Sequence, residues 1–595
     1  MTQDITSSTS HTTTESGPRL GSDGTAVSIL RDVFQKAVDQ AYPGMDVKAE
    51  LVRTQEAKFG DYQLNNAMQL FGKLKKAGGN PPKNPREVAQ KIIECIPKTD
   101  LVASTDIAGP GFINIRVSTA WIEAQLRQLN HDGIESWSPK LSSRVVVDFS
   151  SPNVAKEMHV GHLRSTIIGD TLCKTLEYCG ADVLRLNHVG DWGTQFGMLI
   201  EHMRSGGYGD SAEIADLQKL YREAKKRFDD DNDFKTRARQ QVKTLQDGDP
   251  ESMASWNKIC DASRKEFQAI YDRLNVSLIE RGESFYNPML TKTAEELEQN
   301  SVAQVSDGAL CVFVEGSEVP LMLRKSDGGF GYASTDMSAI RQRVDDEKAD
   351  WIIYVTDSGQ KSHFDLVFAA AKKAGWLKDK DIRLDHVGFG LVLGEDGKRF
   401  RTRSGDLVRL VELLDEAKVR CRDTILERRP DIAEDELEAA SSAMGYGAVK
   451  YADLKNNRLS NYKFSYDQML SLQGDTAVYL LYAFARIAGI VRKSGVDVNK
   501  LTESAQIVLK EPQETALGLK LAQFPDAVSD TLDSLMPNRL TDYLYDLTEV
   551  FNQFYQNCKV IGSEEEESRL LLVEATAKVM RQCFTLLGIA TLDRI

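Results

Sequence analysis

The chain has 595 residues, 41% of them hydrophobic and 27% charged, with a formal charge of −14 from 74 basic and 88 acidic side chains. These proportions are ordinary for globular proteins and exclude a disordered or collagen-like polymer. The length predicts roughly four folding units at about 150 residues each. The most apolar run, Ala477 to Ala485, stops at Arg486 and falls far short of the about 20 residues a membrane helix needs, so no membrane partner is expected. The acidic total leaves RNA open as a partner, because a local basic strip holds phosphates whatever the global sum. The eight cysteines form no C-x-x-C pair, which argues against a thiolate metal site and fits buried thiols in a reducing compartment.

Residues 1–24 are rich in Ser and Thr, lack an apolar stretch, and set Arg19 against Asp4, Glu15 and Asp23. They read as a disordered polar tail of a cytoplasmic protein, not as a secretory signal or transit peptide. Residues 25–138 predict a small α+β domain. Val27, Leu30, Phe34 and Ala37 recur at helical spacing, a second helix runs through Asn66, Met68, Leu70 and Leu74 to the breaker cluster Gly78–Pro82, and Phe112–Val117 alternates like a strand. A linker from Asn130 to Pro139 closes it. Residues 139–406 predict a doubly wound parallel sheet. Strands are expected at Val145–Val147, Val183–Leu186 and Trp351–Val355, a helix from about His159 to Gly180 and another from Phe364 to Gly375, and a further apolar segment from His386 to Leu393. The charged helical stretch from Arg204 to Gln268 reads as an insertion with a solvated surface. Residues 407–595 predict an all-α bundle, its last helix capped by Ser563, led by Glu564–Glu567 and stopped by Gly588.

The most informative stretch is Lys156-Glu157-Met158-His159-Val160-Gly161-His162. It lies between a buried strand and the first turn of a helix. Ligands of such sheets bind beyond the carboxyl ends of the strands, and a helix N-terminus offers backbone donors to a phosphate. His159 and His162 project from one helical face. Gly161 leaves room for a close base or ribose, and Lys156 adds a cation. An H-x-x-H pair also occurs by chance or in partial metal sites, but no third ligand follows at ligand spacing, so no metal site is expected. The stretch Gly388–Gly394 spaces its glycines wrongly for a dinucleotide fingerprint, and Gly397-Lys398 is followed by Arg399 instead of Ser or Thr, so neither is a phosphate-binding loop of those kinds.

The run from Asp148 to Thr166, DFSSPNVAKEMHVGHLRST, closely resembles the "HIGH" signature region of arginyl-tRNA synthetases, which are class I aminoacyl-tRNA synthetases. Asn187–Gly197, Tyr354–Gln360 with His363-Phe364, and Gly445–Tyr451 are similar to the same family. The resemblance implies a class I Rossmann-like catalytic domain between an N-terminal α+β domain that binds the tRNA elbow and a C-terminal helical bundle that binds the anticodon. It implies that arginine attacks the α-phosphate of ATP to give arginyl-adenylate and pyrophosphate, and that the arginyl group then passes to the terminal adenosine of its tRNA. The partners it implies are L-arginine, ATP as its magnesium complex, and tRNA, with the protein a monomer. Because arginine brings its own carboxylate nucleophile, positioning and charge neutralisation carry the catalysis.

By the same resemblance His159, His162 and Lys156 are catalytic, and Gly161, His386, Gly388, Lys398 and Arg403 join them in holding ATP. The second class I signature falls on Gly397–Gly405, where the usual second lysine is missing. Lys156 is implied to stand in for it, with Lys398, Arg399, Arg401 or Arg403 reaching pyrophosphate, and a basic loop that merely touches RNA is the competing reading for Arg399 and Arg401. Arginine is expected to meet Glu283, Tyr332, Asp336 and Gln360 through its guanidinium, and Ser151 and Asn153 through its α-groups. For tRNA, Phe112 and Asn114 are implied as elbow readers, with simple strand packing the competing reading for Phe112. Tyr479 and Tyr482 are candidates to stack on anticodon bases or, equally, core residues at helical spacing. Lys450, Lys455, Arg458 and Lys463 are candidate phosphate contacts. Two other readings are another HIGH-type nucleotidyltransferase that makes a small adenylylated product, disfavoured by the long helical tail, and a catalytically inactive tRNA-binding paralogue, disfavoured because His159, His162 and Lys156 are all present.

Overall fold

The computed structural model describes residues 18–594 except 55, 79–80, 207–216, 379–380 and 401–407. The chain divides into two compact units. The first takes residues up to Lys140 with Arg486–Asp530 and Tyr543–Gln582, and the second takes Leu141–Ala485 with Thr531–Asp542 and the segment from Cys583 onward.

In the first unit α1 (Ala26–Ala41) starts at a capping box in which Thr25 and Ser28 satisfy each other's backbone nitrogens. Leu30, Phe34 and Ala37 are fully buried, as their spacing predicts. Strands β1 (Leu51–Arg53) and β2 (Tyr62–Leu64), helices α2 (Asn66–Ala77) and α3 (Pro85–Glu94), strands β3 (Val102–Ala108) and β4 (Phe112–Val117) and helix α4 (Thr119–Asp132) follow. The strands form one antiparallel sheet in the order β1-β2-β4-β3.

The second unit is built on β5 (Arg144–Asp148), α5 (Val160–Tyr178), β6 (Asp182–Asn187), α6 (Thr194–Ser205), α7 (Leu217–Asp230), α8 (Asn232–Gln246), α9 (Pro250–Leu274), β7 (Ile279–Glu280), α10 (Glu283–Tyr286), α11 (Leu290–Gln299), β8 (Gln304–Ser306), β9 (Ala309–Val312), β10 (Leu321–Arg324), α12 (Tyr332–Asp345), β11 (Trp351–Tyr354), α13 (Lys361–Lys373), β12 (Arg383–His386) and β13 (Val392–Leu393). Its central sheet runs β12-β11-β5-β6-β7, parallel throughout. Val145, Val146 and Val147 at its middle are wholly buried, as a strand covered on both faces requires. Helix α5 packs so closely on Phe149 that a Cβ on Gly169 would stand 2.2 Å from the phenyl ring.

After α14 (Leu410–Arg428) and α15 (Glu434–Leu454) comes β14 (Tyr462–Lys463), a short strand parallel to β13 in a region expected to be purely helical. Helices α16 (Tyr466–Met469), α17 (Ala477–Ser494), α18 (Val498–Ser504), α19 (Pro512–Ala522), α20 (Phe524–Ser534), α21 (Asn538–Asn557) and α22 (Glu566–Leu586) complete the chain. Among the described residues no helix is long and apolar enough to cross a membrane.

One local reading is resolved and one expectation shifts. The apolar segment read from His386 to Leu393 is strand only at its ends, in β13 (Val392–Leu393) and at the last residue of β12 (Arg383–His386). The apolar Val387 and Phe389 are instead buried in the loop between them, whose Gly388 and Gly390 carbonyls accept from the buried guanidiniums of Arg458 at 2.6 Å and Arg164 at 2.8 Å. Ser563 does not cap the last helix. Its hydroxyl donates to the Val560 carbonyl at 2.9 Å, and the helix starts at Glu566.

Candidate active site

The loop between β5 and α5 holds three non-glycine residues in left-handed backbone conformation, Ser150 (φ 74°), Ser151 (φ 47°) and Ala155 (φ 64°). Such residues cost roughly 1–2 kcal/mol each and concentrate where a site dictates the backbone. The Ser150 and Ser151 nitrogens donate to Ser165 Oγ at 2.9 Å and Asn187 Oδ1 at 3.0 Å. Ser151 Oγ donates to Asp148 at 3.3 Å. Asn153 and Lys156 are exposed in the same loop.

His159 is the N-cap of α5. Its backbone nitrogen donates to His162 Nδ1 at 3.0 Å, its own Nδ1 accepts from the Gly161 nitrogen at 3.1 Å, and the rings sit 4.1 Å apart between centroids. Because each Nδ1 accepts, each neutral ring carries its proton on Nε2. Burial lowers both pKa values, that of His162 to about 3, with Arg399 near His159 and Lys156 near His162 adding repulsion. A Cβ on Gly161 would come within 2.9 Å of the His159 ring, so the glycine makes room for its neighbour's imidazole.

Beyond β6 and β7 lies an acidic group. Glu283 opens α10, and burial, then the charges of Asp191 and Asp336, push its carboxyl up to about 7. Asp191 is buried, accepts from Ser284 N at 2.8 Å and Ser284 Oγ at 2.5 Å, and is itself raised by burial. Tyr332 and Asp336 sit one turn apart on α12, as their spacing predicts. Tyr332 is exposed, and Asp336 Oδ2 lies 2.6 Å from His363 Nε2. Gln360 is exposed just ahead of α13. Three carboxylates within mutual influence, two of them partly buried, form a field that a cation would relieve.

On the other side of β5, His386 ends β12. Its Nε2 meets Thr356 Oγ1 at 2.8 Å, its ring stacks on Phe364 at 4.9 Å, and its pKa is lowered to about 4 by burial, then by Arg458. Gly388 passes so close to Ser358 that a Cβ would lie 3.2 Å from its Cα. Lys398 and Arg399 are exposed, while Arg401 and Arg403 lie outside the described residues. The backbone beyond them returns to the signature, with Leu410 N donating to Met158 O at 2.9 Å and Arg409 pairing with Glu157 at 2.5 Å.

The RNA candidates lie apart from these groups along the chain. Asn114 in β4 is 2% exposed, with its amide bonded to Gln63 at 2.8 Å and Asp106 at 3.0 Å, and Phe112 is half-buried. Tyr479 and Tyr482 are half-buried on α17, the latter under Arg428 at 5.4 Å. Two expected phosphate contacts are corrected. Lys450 is buried, donating to the Leu274 carbonyl at 2.5 Å and the Gly588 carbonyl at 2.6 Å, and burial lowers its pKa to about 8. Arg458 is buried against the Gly388 and Leu535 carbonyls. Lys463 is exposed.

Sequence reasoning missed the support beneath Ser151. Arg343, fully buried, donates to Asp148 at 2.6 Å, and His188 stacks on Tyr286 at 5.2 Å with Nδ1 3.8 Å from Asp148. His188 and Asp191 lie in the quoted Asn187–Gly197 run, so that motif carried the signal, whereas Arg343 stands on an ordinary helix and had none. Among the described residues no group of three or more His, Cys, Asp or Glu side chains is placed to hold a metal ion.

Paired imidazoles at the N-terminus of the helix after β5, in a parallel sheet, fit a class I aminoacyl-tRNA synthetase, and the family match shows that class. Residues 126–466 match the family described as "tRNA synthetases class I (R), catalytic domain". Residues 28–117 match the "Arginyl tRNA synthetase N terminal domain" and residues 480–595 the "DALR anticodon binding domain". The chain is 55% identical to the chloroplastic/mitochondrial arginine–tRNA ligase of Arabidopsis thaliana, covering 90% of this chain and 85% of that one. It is 54% identical to the cytoplasmic arginine–tRNA ligase of the same plant, covering 90% and 93%. A crystal structure of the arginyl-tRNA synthetase of Plasmodium falciparum superposes with a TM-score of 0.86 at 36% identity, covering 96% of this chain and 99% of that one. The chain belongs to the arginyl-tRNA synthetase family, and its activity is the ligation of arginine to tRNA.

Proposed function

We propose that His159, His162 and Lys156 bind the ATP triphosphate and that the acidic group at Glu283 and Asp336 selects arginine. The reciprocal cap of the two histidines carries this reading. It leaves two neutral Nε2–H donors at a helix N-terminus beyond the end of β5, where a phosphate gains both backbone dipole and hydrogen bonds. The arginine carboxylate attacks the α-phosphorus, the bond to the β-phosphate oxygen breaks, and pyrophosphate leaves. The donors meet charge that grows on the phosphoryl oxygens. A hydroxyl of the terminal adenosine of tRNA then attacks the arginyl carbonyl, and AMP departs.

In this reading Ser151 and Asn153 hold the α-groups of arginine, and Tyr332 and Gln360 flank the guanidinium. His386, Gly161 and Gly388 line the adenosine side. Lys398 and Arg399 reach pyrophosphate, with Arg399 supported by its proximity to His159. ATP arrives as its magnesium complex, the cation travelling with the substrate. The N-terminal domain at residues 25–138 takes the tRNA elbow through Phe112 and Asn114, and residues 407–595 take the anticodon with Tyr479 and Tyr482 as stacking platforms. The proposed state is a monomer and the proposed compartment the cytoplasm, the latter supported by eight scattered cysteines that form no C-x-x-C pair. Pyrophosphate exchange tests the assignment. Exchange with arginine that requires tRNA is expected, and robust tRNA-free exchange with another amino acid overturns it.

A further inference from the structure

We infer that α9 is a positioning helix for the reaction, its Tyr271 and Ser263 fixing the two ends of the strained loop Ser150–Ala155. The Tyr271 hydroxyl, on a side chain 4% exposed, lies 2.8 Å from Ser150 Oγ and accepts from Asn187 Nδ2 at 3.1 Å. Asn187 Oδ1 accepts the Ser151 nitrogen at 3.0 Å. One hydroxyl therefore reaches both left-handed residues at the start of the loop, one directly and one through a single amide. Two turns earlier Ser263, 1% exposed, accepts the nitrogen of Ala155, the third left-handed residue, at 3.0 Å. From the same helix Trp256 Nε1 donates to the Asp191 carbonyl at 2.7 Å, touching the loop of the acidic group.

The sequence presents this region as a charged insertion, yet the face formed by Ile259, Phe267, Ile270 and Leu274 is buried. Hydroxyls on such a face are costly unless bonded, and both find their partners on the signature loop. A non-glycine left-handed backbone relaxes when its partners are removed. The ends differ in what they carry. This inference rests on the site assignment above, in which Ser151, reached from Tyr271 through Asn187, serves arginine while Lys156 next to Ala155 serves ATP. The two hydroxyls are therefore expected to act on different substrates.

The experiment measures KM for arginine and for ATP, and kcat, in aminoacylation by the full-length enzyme. Tyr271→Phe is expected to raise the arginine KM about threefold to tenfold, the worth of one net hydrogen bond, with the ATP KM changed by less than about twofold. Ser263→Ala is expected to do the reverse, and Ser263→Thr to restore the ATP KM. Ser151→Ala and Lys156→Ala run alongside as references. If these references show no arginine and ATP selectivity, the site assignment fails. If they do, and Tyr271→Phe and Ser263→Ala move both KM values together or move neither at unchanged melting temperature, the positioning role is overturned. Should Tyr271→Phe not fold, Ser263→Ala with its threonine rescue decides alone.

Discussion

The backbone nitrogen of His159 donates to Nδ1 of His162 at 3.0 Å, so the second signature histidine caps the residue that begins its own helix. This bond fixes His162 as the Nε2–H tautomer. Burial reinforces it by holding the ring's pKa near about 3. NMR titration of the imidazole signals is expected to show His162 neutral at pH 5. A midpoint near the ordinary 6.5 would mean that the cap does not form in solution.

Glu283 is expected to set the pH dependence of arginine binding. Its carboxyl is pushed up to about 7 by burial, then by Asp191 and Asp336. A guanidinium pairs with the carboxylate, so below that pH binding must release a proton. The KM for arginine is expected to rise as pH falls, approaching about tenfold per unit well below 7. Glu283→Gln is expected to flatten this profile and to raise KM at pH 8 by about tenfold or more, as loss of a charge-assisted hydrogen bond does. A flat wild-type profile between pH 6 and 8.5 contradicts the assignment.

Arg164 on α5 and Asp453 on α15 form an ion pair at 3.0 Å with each side chain 1% exposed, and Arg164 also holds the Gly390 carbonyl. Arg164→Met strands the Asp453 carboxylate, whose pKa burial already raises, and is expected to cost about 3–5 kcal/mol. Adding Asp453→Leu removes the stranded charge and is expected to recover part of that loss. Thermal melting of the single and double variants checks it, and a double variant less stable than Arg164→Met contradicts it.

Lys450 and Lys463 separate buried from accessible charge on the RNA side. Lys463→Ala is expected to reduce the slope of log affinity for tRNA against log salt by about 1, the signature of one phosphate contact. Lys450→Met is expected to leave the slope unchanged, because its ammonium is enclosed by the Leu274 and Gly588 carbonyls. Equal slope changes for the two would place Lys450 on the RNA.

Elements with a strong local pattern were legible in the sequence. The helix carrying His159 and His162 showed apolar residues at helical spacing next to a run of three valines, and Leu163, Ile167, Leu172 and Leu176 are all buried. Tyr332 and Asp336 were marked by the family resemblance, and helix α12 sets them one turn apart. What stayed hidden depends on distant chain segments meeting. Nothing near Lys450 in the sequence announces that Gly588, well over a hundred residues on, receives its ammonium. Arg343 and Tyr271 lie outside the quoted signature stretches, and become significant only where the fold sets them beneath Asp148 and Ser150. The apolar His386–Leu393 segment left loop and strand undistinguished, because a buried loop and a buried strand share composition and differ only in hydrogen-bond partners.

The activation step proposed above depends on donation from the imidazole of His159 to the triphosphate. Its most direct test is single-turnover formation of arginyl-adenylate by His159→Ala with tRNA present, with tRNA affinity measured in parallel. Loss of about 10²–10³ in rate at unchanged tRNA affinity is the result predicted for a missing donor to developing charge. Wild-type adenylate formation would contradict it.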